Sequence, residues 1–461
     1  MTVDSWHDRM AAALDAGWRF GALYATSGGI VRALLVQPDG ETLLETASAE
    51  DGAVPSIVDL VPAAGWDERE AHDLYGVEFT GHDPLRPLVD HGPDLDAWTV
   101  PVHGQDAYQV AVGPIHAGVI ESGHFRFHVV GDRILHVDAR LFYKHRGLEK
   151  AVEGVPLEAG IAFAGRACGA CAVANSVAYA LACEAVLGLR SGSELARSRT
   201  ILLELERVWS HLNDIAAVCS GTGLAAGNNR FAELTERARR LNATLTGHRF
   251  LFGTVRVGGS DVVLDEEAVR VARTELTLIR EAAARGWREL AFNSPFQDRL
   301  PDIGIVDADD VALLGSVGPA ARAAGVAEDV RSFAPALDYL DFEPVTPTRA
   351  VGDVQARFEQ RALELWQSFD IVERLLDRPL APAVAERGGV EREIGVGRVE
   401  SSRGATTCVV EQGGGRVERL HLRTGSYANW PAVAHAAAND LFPDFPLINK
   451  SFELCYACAD R

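Results

Sequence analysis

Two Cys-x-x-Cys pairs mark this chain: Arg166-Ala167-Cys168-Gly169-Ala170-Cys171 near its middle and Cys455-Tyr456-Ala457-Cys458 near its end. They lie 284 positions apart, counted from Cys171 to Cys455. Two thiolates at this spacing can reach one metal ion, and four thiolates together form a soft, sulfur-rich site for a transition metal. The pattern therefore indicates a metal site to which both ends of a large domain contribute.

The same cysteines allow other interpretations, which spacing alone leaves open. A zinc ribbon places its pairs about 15 to 20 residues apart, which disfavours a local zinc knuckle but not a closed four-cysteine zinc site. A thioredoxin-type dithiol belongs to a βαβ pattern, whereas Cys168 and Cys171 open an apolar helix. Core packing is the remaining interpretation, and it is the one we favour for Cys183, Cys219 and Cys408.

Composition narrows the class of protein. The 461 residues suffice for two or three domains, and 65 acidic against 44 basic side chains give a formal charge of −21. This balance argues against a nucleic-acid partner and against direct docking on anionic lipid. The polar first residues lack the pattern of a secretory signal, and seven cysteines, an odd number, predict cytoplasmic thiols rather than disulfides.

The longest apolar stretch covers residues 167–187 and contains Asn175 and Glu184. Its Ala, Gly and Cys content predicts a helix buried in protein rather than a membrane span. Any membrane attachment is therefore expected to come through partners.

Pro, Gly and Asp cluster over residues 83–106, which predicts a linker between two domains, at 1–95 and 106–461. The first should be a small α/β domain, with a helix over 4–17 followed by three strands. The second should begin with a β-hairpin over 120–138 and become mainly helical, which makes the fold class α+β. The strands are predicted at 18–25, 30–37 and 42–47, and the helices at 199–219, 229–252, 265–289, 351–377 and 429–441.

Several polar residues could complete a metal site. Glu121, His124 and Arg126 lie together in the hairpin, Arg403 lies in a loop, and Glu149 follows His145-Arg146-Gly147-Leu148. Each has an ordinary alternative: a surface polar group, a plain loop residue or a local ion pair.

Taken in order, these motifs resemble the large subunit of nickel–iron hydrogenases, in the energy-converting, complex I-related branch that includes the formate hydrogenlyase large subunit. The N-terminal part resembles the thirty-kilodalton subunit of complex I, and the remainder resembles its forty-nine-kilodalton subunit. The motifs that carry the resemblance are residues 67–77, 81–86, 113–127, 141–150, 166–171, 199–212 and 455–461.

The resemblance implies a nickel–iron centre with CO and CN ligands on the iron. It implies that Cys168 and Cys455 bind nickel terminally and that Cys171 and Cys458 bridge nickel to iron. It also implies catalytic roles for three residues: Cys455 as first proton acceptor, Glu121 as proton relay, and Arg403 as a fixed cation above the metals. Glu149 would help to hold a structural magnesium or iron ion.

The chain departs from the family pattern beside the expected centre. Asn175 stands where relatives usually have His, Ser401-Ser402 stands for Ala-Pro, and Glu453-Leu454 stands for Asp-Pro. Many relatives also carry a precursor tail that a protease removes after the residue equivalent to Arg461, so that Arg461 is either a processed end or one that needs no cleavage.

The resemblance also implies partners: an iron–sulfur small subunit like the twenty-kilodalton subunit of complex I, a ferredoxin-like subunit and integral membrane subunits. Iron–sulfur clusters would lie only in these partners, and the complex would sit on the inner face of the cell membrane, facing the cytoplasm. Two alternatives stay open. One is a complex I-like NADH/quinone oxidoreductase subunit that forms a quinone pocket without metal; the other is a non-catalytic zinc scaffold.

Overall fold

The computed structural model describes residues 5–49, 52–90, 92, 97–104, 106–116 and 121–461. It has the predicted α+β class, with a small N-terminal sheet region and a larger helical region. Within the described residues, no helix is both long and apolar enough to cross a membrane. Some predicted limits lie outside the described residues: the helix start at 4, the domain limits at 1 and 95, and the hairpin start at 120.

The N-terminal elements follow the predicted order of one helix and three strands. Strands β1 to β3 form an antiparallel sheet, and β4 and β5 pair in parallel. Helix α1 begins at a capping box in which Ser5 and Asp8 satisfy each other's backbone N–H groups. The elements are α1 (Trp6–Asp15), β1 (Arg19–Ala25), β2 (Ile30–Val36), β3 (Thr42–Ser48), β4 (Ala53–Pro55), α2 (Gly65–Tyr75) and β5 (Glu78–Thr80).

The first sheet is buried on both faces. Leu23 and Ala33, which are register partners, face the N-terminal core. Tyr24 and Leu34 face the other way and pack against Val409, from far along the chain. Because successive strand residues point to opposite faces, the same strands contact both their own helices and the larger region.

A second antiparallel sheet consists of β6 (Tyr108–Val112), β7 (His124–Val130) and β8 (Arg133–Arg140). The predicted hairpin around Gly131-Asp132 is confirmed by the pairing of Val130 with Arg133. Phe125 and Phe127 of β7 are buried in the main core. The sheet therefore anchors the segment that contains Glu121.

The helical region surrounds two central helices, α5 and α6. Helix α7 ends at Thr246 rather than at the predicted 252, because Gly247 adopts φ 81° and terminates it. The elements are α3 (Leu148–Ala151), α4 (Leu157–Gly165), α5 (Ala172–Leu187), β9 (Leu189–Arg190), α6 (Ser193–Gly221), α7 (Ala225–Thr246), β10 (Gly259–Ser260), α8 (Glu266–Ala291), α9 (Ser294–Gln297), α10 (Ala308–Leu314), α11 (Pro319–Ala323), α12 (Val354–Leu375), β11 (Ala383–Val384) and β12 (Glu386–Arg387).

A third antiparallel sheet, which the sequence did not predict, consists of β13 (Ile394–Ser401), β14 (Gly404–Gly413) and β15 (Arg416–Arg423). Strand β13 packs directly on α5. A Cβ atom at Gly397 would lie 2.0 Å from the carbonyl oxygen of Ala178, so only glycine allows this approach. The packing sets the turn that carries Arg403 beside the start of α5.

Three helices complete the chain: α13 (Gly425–Ala437), α14 (Phe445–Phe452) and α15 (Tyr456–Asp460). Cys455 is the N-cap residue of the last helix, and Arg461 is its C-cap residue. Cys458, Ala459 and Asp460 are fully buried, so the end of the described chain lies inside the protein.

Candidate metal centre

The four cysteines of the two pairs lie together. Cys168 and Cys171 occupy the turn between α4 and α5, and Cys455 and Cys458 lie at the start of α15 and within it. Their sulfur atoms all lie within 4.8 Å of one another, and none forms a disulfide. The fold thus makes one tetrathiol cluster from chain-distant pairs; the assignment of its members as metal ligands stays a prediction.

The thiols of the cluster differ in acidity. Hydrogen bonding with Cys168 and its neighbours lowers the pKa of Cys455 well below the ordinary value. Hydrogen bonding with Cys168, followed by Cys455, raises the pKa of Cys171, and hydrogen bonding with Cys168, Cys171 and Cys455 raises the pKa of Cys458. Cys455, which is also the least buried member of the cluster, is therefore the cysteine most readily held as a thiolate.

Backbone and side-chain hydrogen bonds hold the C-terminal segment in the core. The Asp460 carboxylate accepts from the backbone N–H groups of Phe142 and Lys144, at 2.8 and 2.9 Å. The Thr424 hydroxyl donates to the Cys458 carbonyl at 3.0 Å, and the Cys455 N–H donates to Ser426 at 3.1 Å. This arrangement agrees with the prediction that the C-terminal segment docks into the core.

Glu121 lies beside the tetrathiol cluster. Its carboxylate accepts a hydrogen bond from the backbone N–H of Ala457 at 2.8 Å. Burial raises the pKa of Glu121, the hydrogen bond from Ala457 opposes this, and the charge of Cys455 adds to it. Glu121 is thus a carboxyl group of raised pKa in contact with the Cys455–Cys458 segment, and its role as a proton relay stays a prediction.

Arg403 faces the cluster from the turn between β13 and β14. Its two terminal nitrogens donate to the two oxygens of Asp214, at 2.7 and 2.8 Å. Burial lowers the pKa of Arg403, but the charges of Asp214, Cys455 and Cys171 outweigh this and raise it well above its usual value. Arg403 is thus a permanent cation held in a bidentate fork.

Arg403 is one end of a buried network of alternating carboxylates and guanidiniums. Four of its members lie on one face of α6, at spacings of three, four and three residues. Its carboxylates and guanidiniums are equal in number, so that charge is balanced inside the protein. The other members are Asp214, Arg361, His211, Glu364, Arg207, Glu204, Arg322, Glu400, Asp329 and Arg331.

The residues that depart from the family pattern line this centre. The Ser401 hydroxyl donates to the Gly404 carbonyl and accepts from the Arg403 N–H, which fixes the turn that presents Arg403. Glu453 accepts from the Asn213 amide at 3.2 Å, and burial, followed by the charge of Asp214, raises its pKa to about 7. Ser401 therefore holds the loop in place where relatives usually have Ala-Pro.

Three residues on the segments that form the site carry buried polar atoms without a hydrogen-bond partner among the described residues. Asn175 is fully buried one turn after Cys171, and its side-chain amide has no hydrogen-bond partner within the described part of the chain. The same holds for the Ser402 hydroxyl and for Arg403 Nε. Buried polar groups are normally hydrogen-bonded, so unpaired polar atoms on the residues that follow Cys171 and on the turn of Arg403 fit a metal centre that carries small polar ligands.

Glu206 is a residue to which the sequence analysis gave no role. It is fully buried and accepts from the backbone N–H groups of Val173 and Ala174, at 2.7 and 3.1 Å. It thereby satisfies donors at the start of α5, immediately after Cys171. Burial raises its pKa to about 8. In the sequence, Glu206 is recognisable only as a carboxylate beside Arg207 in the predicted helix 199–219. No local pattern links it to residue 173.

Glu149 lies apart from the sulfurs, in a second cluster. Its carboxylate accepts from Arg419, Arg461 and the backbone N–H of Leu422, each at 2.8 Å. Burial raises its pKa, but the charges of Arg461 and Arg419 outweigh this and hold it well below the usual range. Glu149, Glu70 and His421 offer donor atoms within 4.8 Å of one another. Glu149 as a metal ligand remains a prediction.

Comparisons with known proteins agree with this architecture. Residues 22–101 match the family described as respiratory-chain NADH dehydrogenase, 30 Kd subunit, and residues 227–387 match the 49 Kd subunit of the same enzyme. A chain in the structure of the membrane-bound sulfane sulfur reductase (MBS), an archaeal respiratory membrane complex, superposes with a TM-score of 0.71. It is 27% identical, with coverage of 78% of this chain and 100% of that chain.

Two curated relatives come from Escherichia coli strain K12. Formate hydrogenlyase subunit 5 is 30% identical, over 88% of this chain and 77% of the relative. Hydrogenase-4 component G is 31% identical, over 90% of this chain and 77% of the relative. NADH-quinone oxidoreductase subunits C/D match as well. The chain therefore belongs to the family of energy-converting, complex I-related hydrogenase large subunits, in the formate-hydrogenlyase-like group that fuses the two complex I-like modules.

Proposed function

We propose that this chain is the catalytic large subunit of a membrane-associated nickel–iron hydrogenase complex, which interconverts dihydrogen with two protons and two electrons. The proposal is carried by the approach of four unpaired cysteine sulfurs to within 4.8 Å of one another. Thiolates are the donors that suit a soft, electron-rich nickel and iron site. Cys168 and Cys455 are the proposed terminal nickel ligands, and Cys171 and Cys458 the bridges to iron.

A bound nickel–iron centre with CO and CN on iron supplies heterolytic cleavage of dihydrogen. The chain supplies the groups that handle the proton. Cys455 is the proposed first acceptor, and Glu121 passes the proton outward because its raised pKa keeps it closer to neutral pH than an exposed carboxyl group. Arg403, held by Asp214, is a fixed cation that stabilises negative charge at the cluster.

The two electrons need a partner, since the described residues hold no second group of cysteines that could bind an iron–sulfur cluster. We propose an iron–sulfur small subunit like the twenty-kilodalton subunit of complex I as first acceptor, with ferredoxin-like and integral membrane subunits beyond it. Two of the similar proteins are described as membrane-bound, which supports peripheral membrane association, and we propose that the chain lies on the inner, cytoplasmic face. Co-purification of these subunits with a tagged chain, and their loss from the membrane fraction without it, tests this part.

Metal analysis of the purified complex tests the proposal. We expect nickel and iron in about equal amounts, with infrared bands from the diatomic ligands. Cys168→Ala should lose nickel, whereas Cys219→Ala, at a buried cysteine outside the tetrathiol cluster, should retain it. Stoichiometric zinc without nickel would instead establish a structural zinc scaffold.

A complex I-like subunit without metal is the second candidate, and the matches to both NADH dehydrogenase subunits support it. In that case the region beside the four cysteines would line a quinone pocket. A quinone-dependent activity that survives Cys168→Ala, in a complex without nickel, would favour this candidate over the hydrogenase.

A further inference from the structure

We propose that the Arg461 guanidinium is a built-in cation that takes the place of a divalent ion at the cluster formed by Glu70, Glu149 and His421. In this role Arg461 is a positioning residue. It ties the end of α15, and with it Cys458, to both the N-terminal region and the third sheet.

The contacts of Arg461 carry the proposal. Its Nη1 donates to Glu149 Oε1 and to the Leu422 carbonyl, both at 2.8 Å. Its Nη2 donates to the Glu70 carboxylate. One guanidinium therefore contacts three oxygens from three separate segments of the chain, all of them of the kind that a hard divalent cation prefers.

The remaining ligand capacity of Glu149 is nearly exhausted. Arg419 donates to Oε2, and the Leu422 N–H shares Oε1 with Arg461. A carboxylate has about four acceptor positions, and His421 Nδ1, at 3.6 Å from Oε2, is too distant for a hydrogen bond. An additional ion would find about one free acceptor position on Glu149, on Oε2, beside two arginine charges.

Charge balance also disfavours an additional divalent ion at this cluster. Glu70 and Glu149 contribute two negative charges, and Arg461 and Arg419 contribute two positive charges that arginine does not lose at any physiological pH. A divalent ion would leave this buried cluster with an excess charge of two, which a low-dielectric interior strongly disfavours.

Access does not limit ion binding. Glu70, Glu149 and Arg461 line a cavity of about 570 Å³. Lys150 and His145 line it as well. A small hydrated ion can thus approach the cluster, so failure to bind one would reflect the occupied ligands and the positive charge.

One donor of the cluster stays unused. His421 is 2% exposed, and neither of its ring nitrogens has a hydrogen-bond partner among the described residues. It stacks on Tyr24 at 5.1 Å between ring centroids. Replacing Arg461 with a neutral ligand would therefore give a divalent ion two carboxylates and imidazole nitrogens.

The proposal can be tested by titrating the purified complex with Mn²⁺ and following the ion by electron paramagnetic resonance. This measurement does not require catalytic turnover. The wild-type complex should show no tight Mn²⁺ site, and EDTA should leave its metal content and melting temperature unchanged. Arg461→His should gain one Mn²⁺ per chain, with affinity raised at least tenfold, and Arg461→His combined with Glu149→Gln should lose it.

A tight wild-type Mn²⁺ site that Glu149→Gln removes would overturn the proposal, and this measurement needs no Arg461 variant to fold. Absence of Mn²⁺ gain in a folded Arg461→His variant would overturn it too. Arg461→Lys keeps one positive charge but loses the bidentate geometry of the guanidinium. It should bind no Mn²⁺ and should shift the infrared bands of the metal-loaded tetrathiol cluster. Mn²⁺ binding by this variant would count against the proposal. The Mn²⁺ results do not depend on the proposed hydrogenase activity.

Discussion

Replacing Asp214 with asparagine probes the electrostatic support of Arg403. Asp214 is fully buried and accepts hydrogen bonds from Arg403 at 2.7 and 2.8 Å and from His211 at 3.2 Å, and Arg361 Nη1 forms an ion pair with it at 3.1 Å. Asparagine keeps the shape but removes the charge, so two buried guanidiniums lose their shared counter-ion. Breaking a buried ion pair in this way costs about 3 to 5 kcal/mol.

Hydrogen exchange of the backbone amides of α6 and α12 measures this loss where it occurs. In the fast-reclosing regime, about 1.4 kcal/mol corresponds to a tenfold change in the opening equilibrium. We therefore expect exchange in these helices to accelerate at least 100-fold in Asp214→Asn, while exchange in α1 and β2 changes little because these elements do not contact the network.

Asp370→Asn is the matched control. Asp370 lies on α12, one of the two helices to be measured, but it is exposed and pairs with Arg280 at 2.7 Å. Exposed pairs contribute about 0 to 1 kcal/mol, so exchange should rise by less than about fivefold. An Asp214→Asn protein that exchanges no faster than this control would refute the electrostatic account of the network.

The direction of the pKa shift of Asp214 determines how its stabilisation of the fold depends on pH. Burial raises the pKa of Asp214, but Arg403 and Arg361 outweigh this and lower it below the ordinary value. The stabilisation by a carboxylate with a depressed pKa is complete above the unfolded value of about 3.9 and is lost as pH falls through the folded value. The part of the stability difference between wild type and Asp214→Asn that comes from Asp214's own titration should thus shrink only under strongly acidic conditions. A separate change is expected near pH 7, because the charge of Asp214 helps to raise the pKa of Glu453 to about 7.

Three further predictions concern single features of the site. Glu121→Gln should lower hydrogen turnover about 100-fold or more with nickel content unchanged, because glutamine cannot relay a proton; Glu158→Gln, at an exposed position, should be neutral. Gly397→Ala should lower the free energy of unfolding by about 1 to 3 kcal/mol, because its Cβ would meet the Ala178 carbonyl; Gly65→Ala, which meets nothing closer than 4.0 Å, should cost less than about 1 kcal/mol. Removal of residues 458–461 should abolish metal retention, since it deletes a sulfur and the Asp460 contacts; intact nickel content would contradict the docking.

Much of the helical architecture could be predicted from local sequence. The apolar residues of α6 recur at spacings of three and four, and α8 begins just after Asp265, which caps it. The helix–strand order of the first domain was predictable for the same reason, since turn residues separate short runs. Such signals depend only on residues that are neighbours in the sequence, so they can be recognised without the tertiary structure.

The third sheet was missed because its signal is hidden. Strand β14 is buried along most of its length, with α5 on one side and the first sheet on the other. A strand buried on both faces shows no alternation of apolar and polar residues, and Gly395 and Gly397 interrupt the apolar pattern of β13. The close approach of Gly397 to α5 explains those glycines only after the packing is known.

The sequence alone established which chemical groups are available for the site: two thiols in each Cys-x-x-Cys pair, a carboxylate at Glu121 and a guanidinium at Arg403. Their resemblance to a family pattern indicated the chemistry. Which charged residues contact each other was decided by the tertiary structure alone. Asp214 pairs with Arg403, Glu206 caps α5, and Arg461 neutralises Glu149. Ion pairs between residues far apart in the chain leave no periodic trace, because their partners are chosen by packing and by the need to balance buried charge.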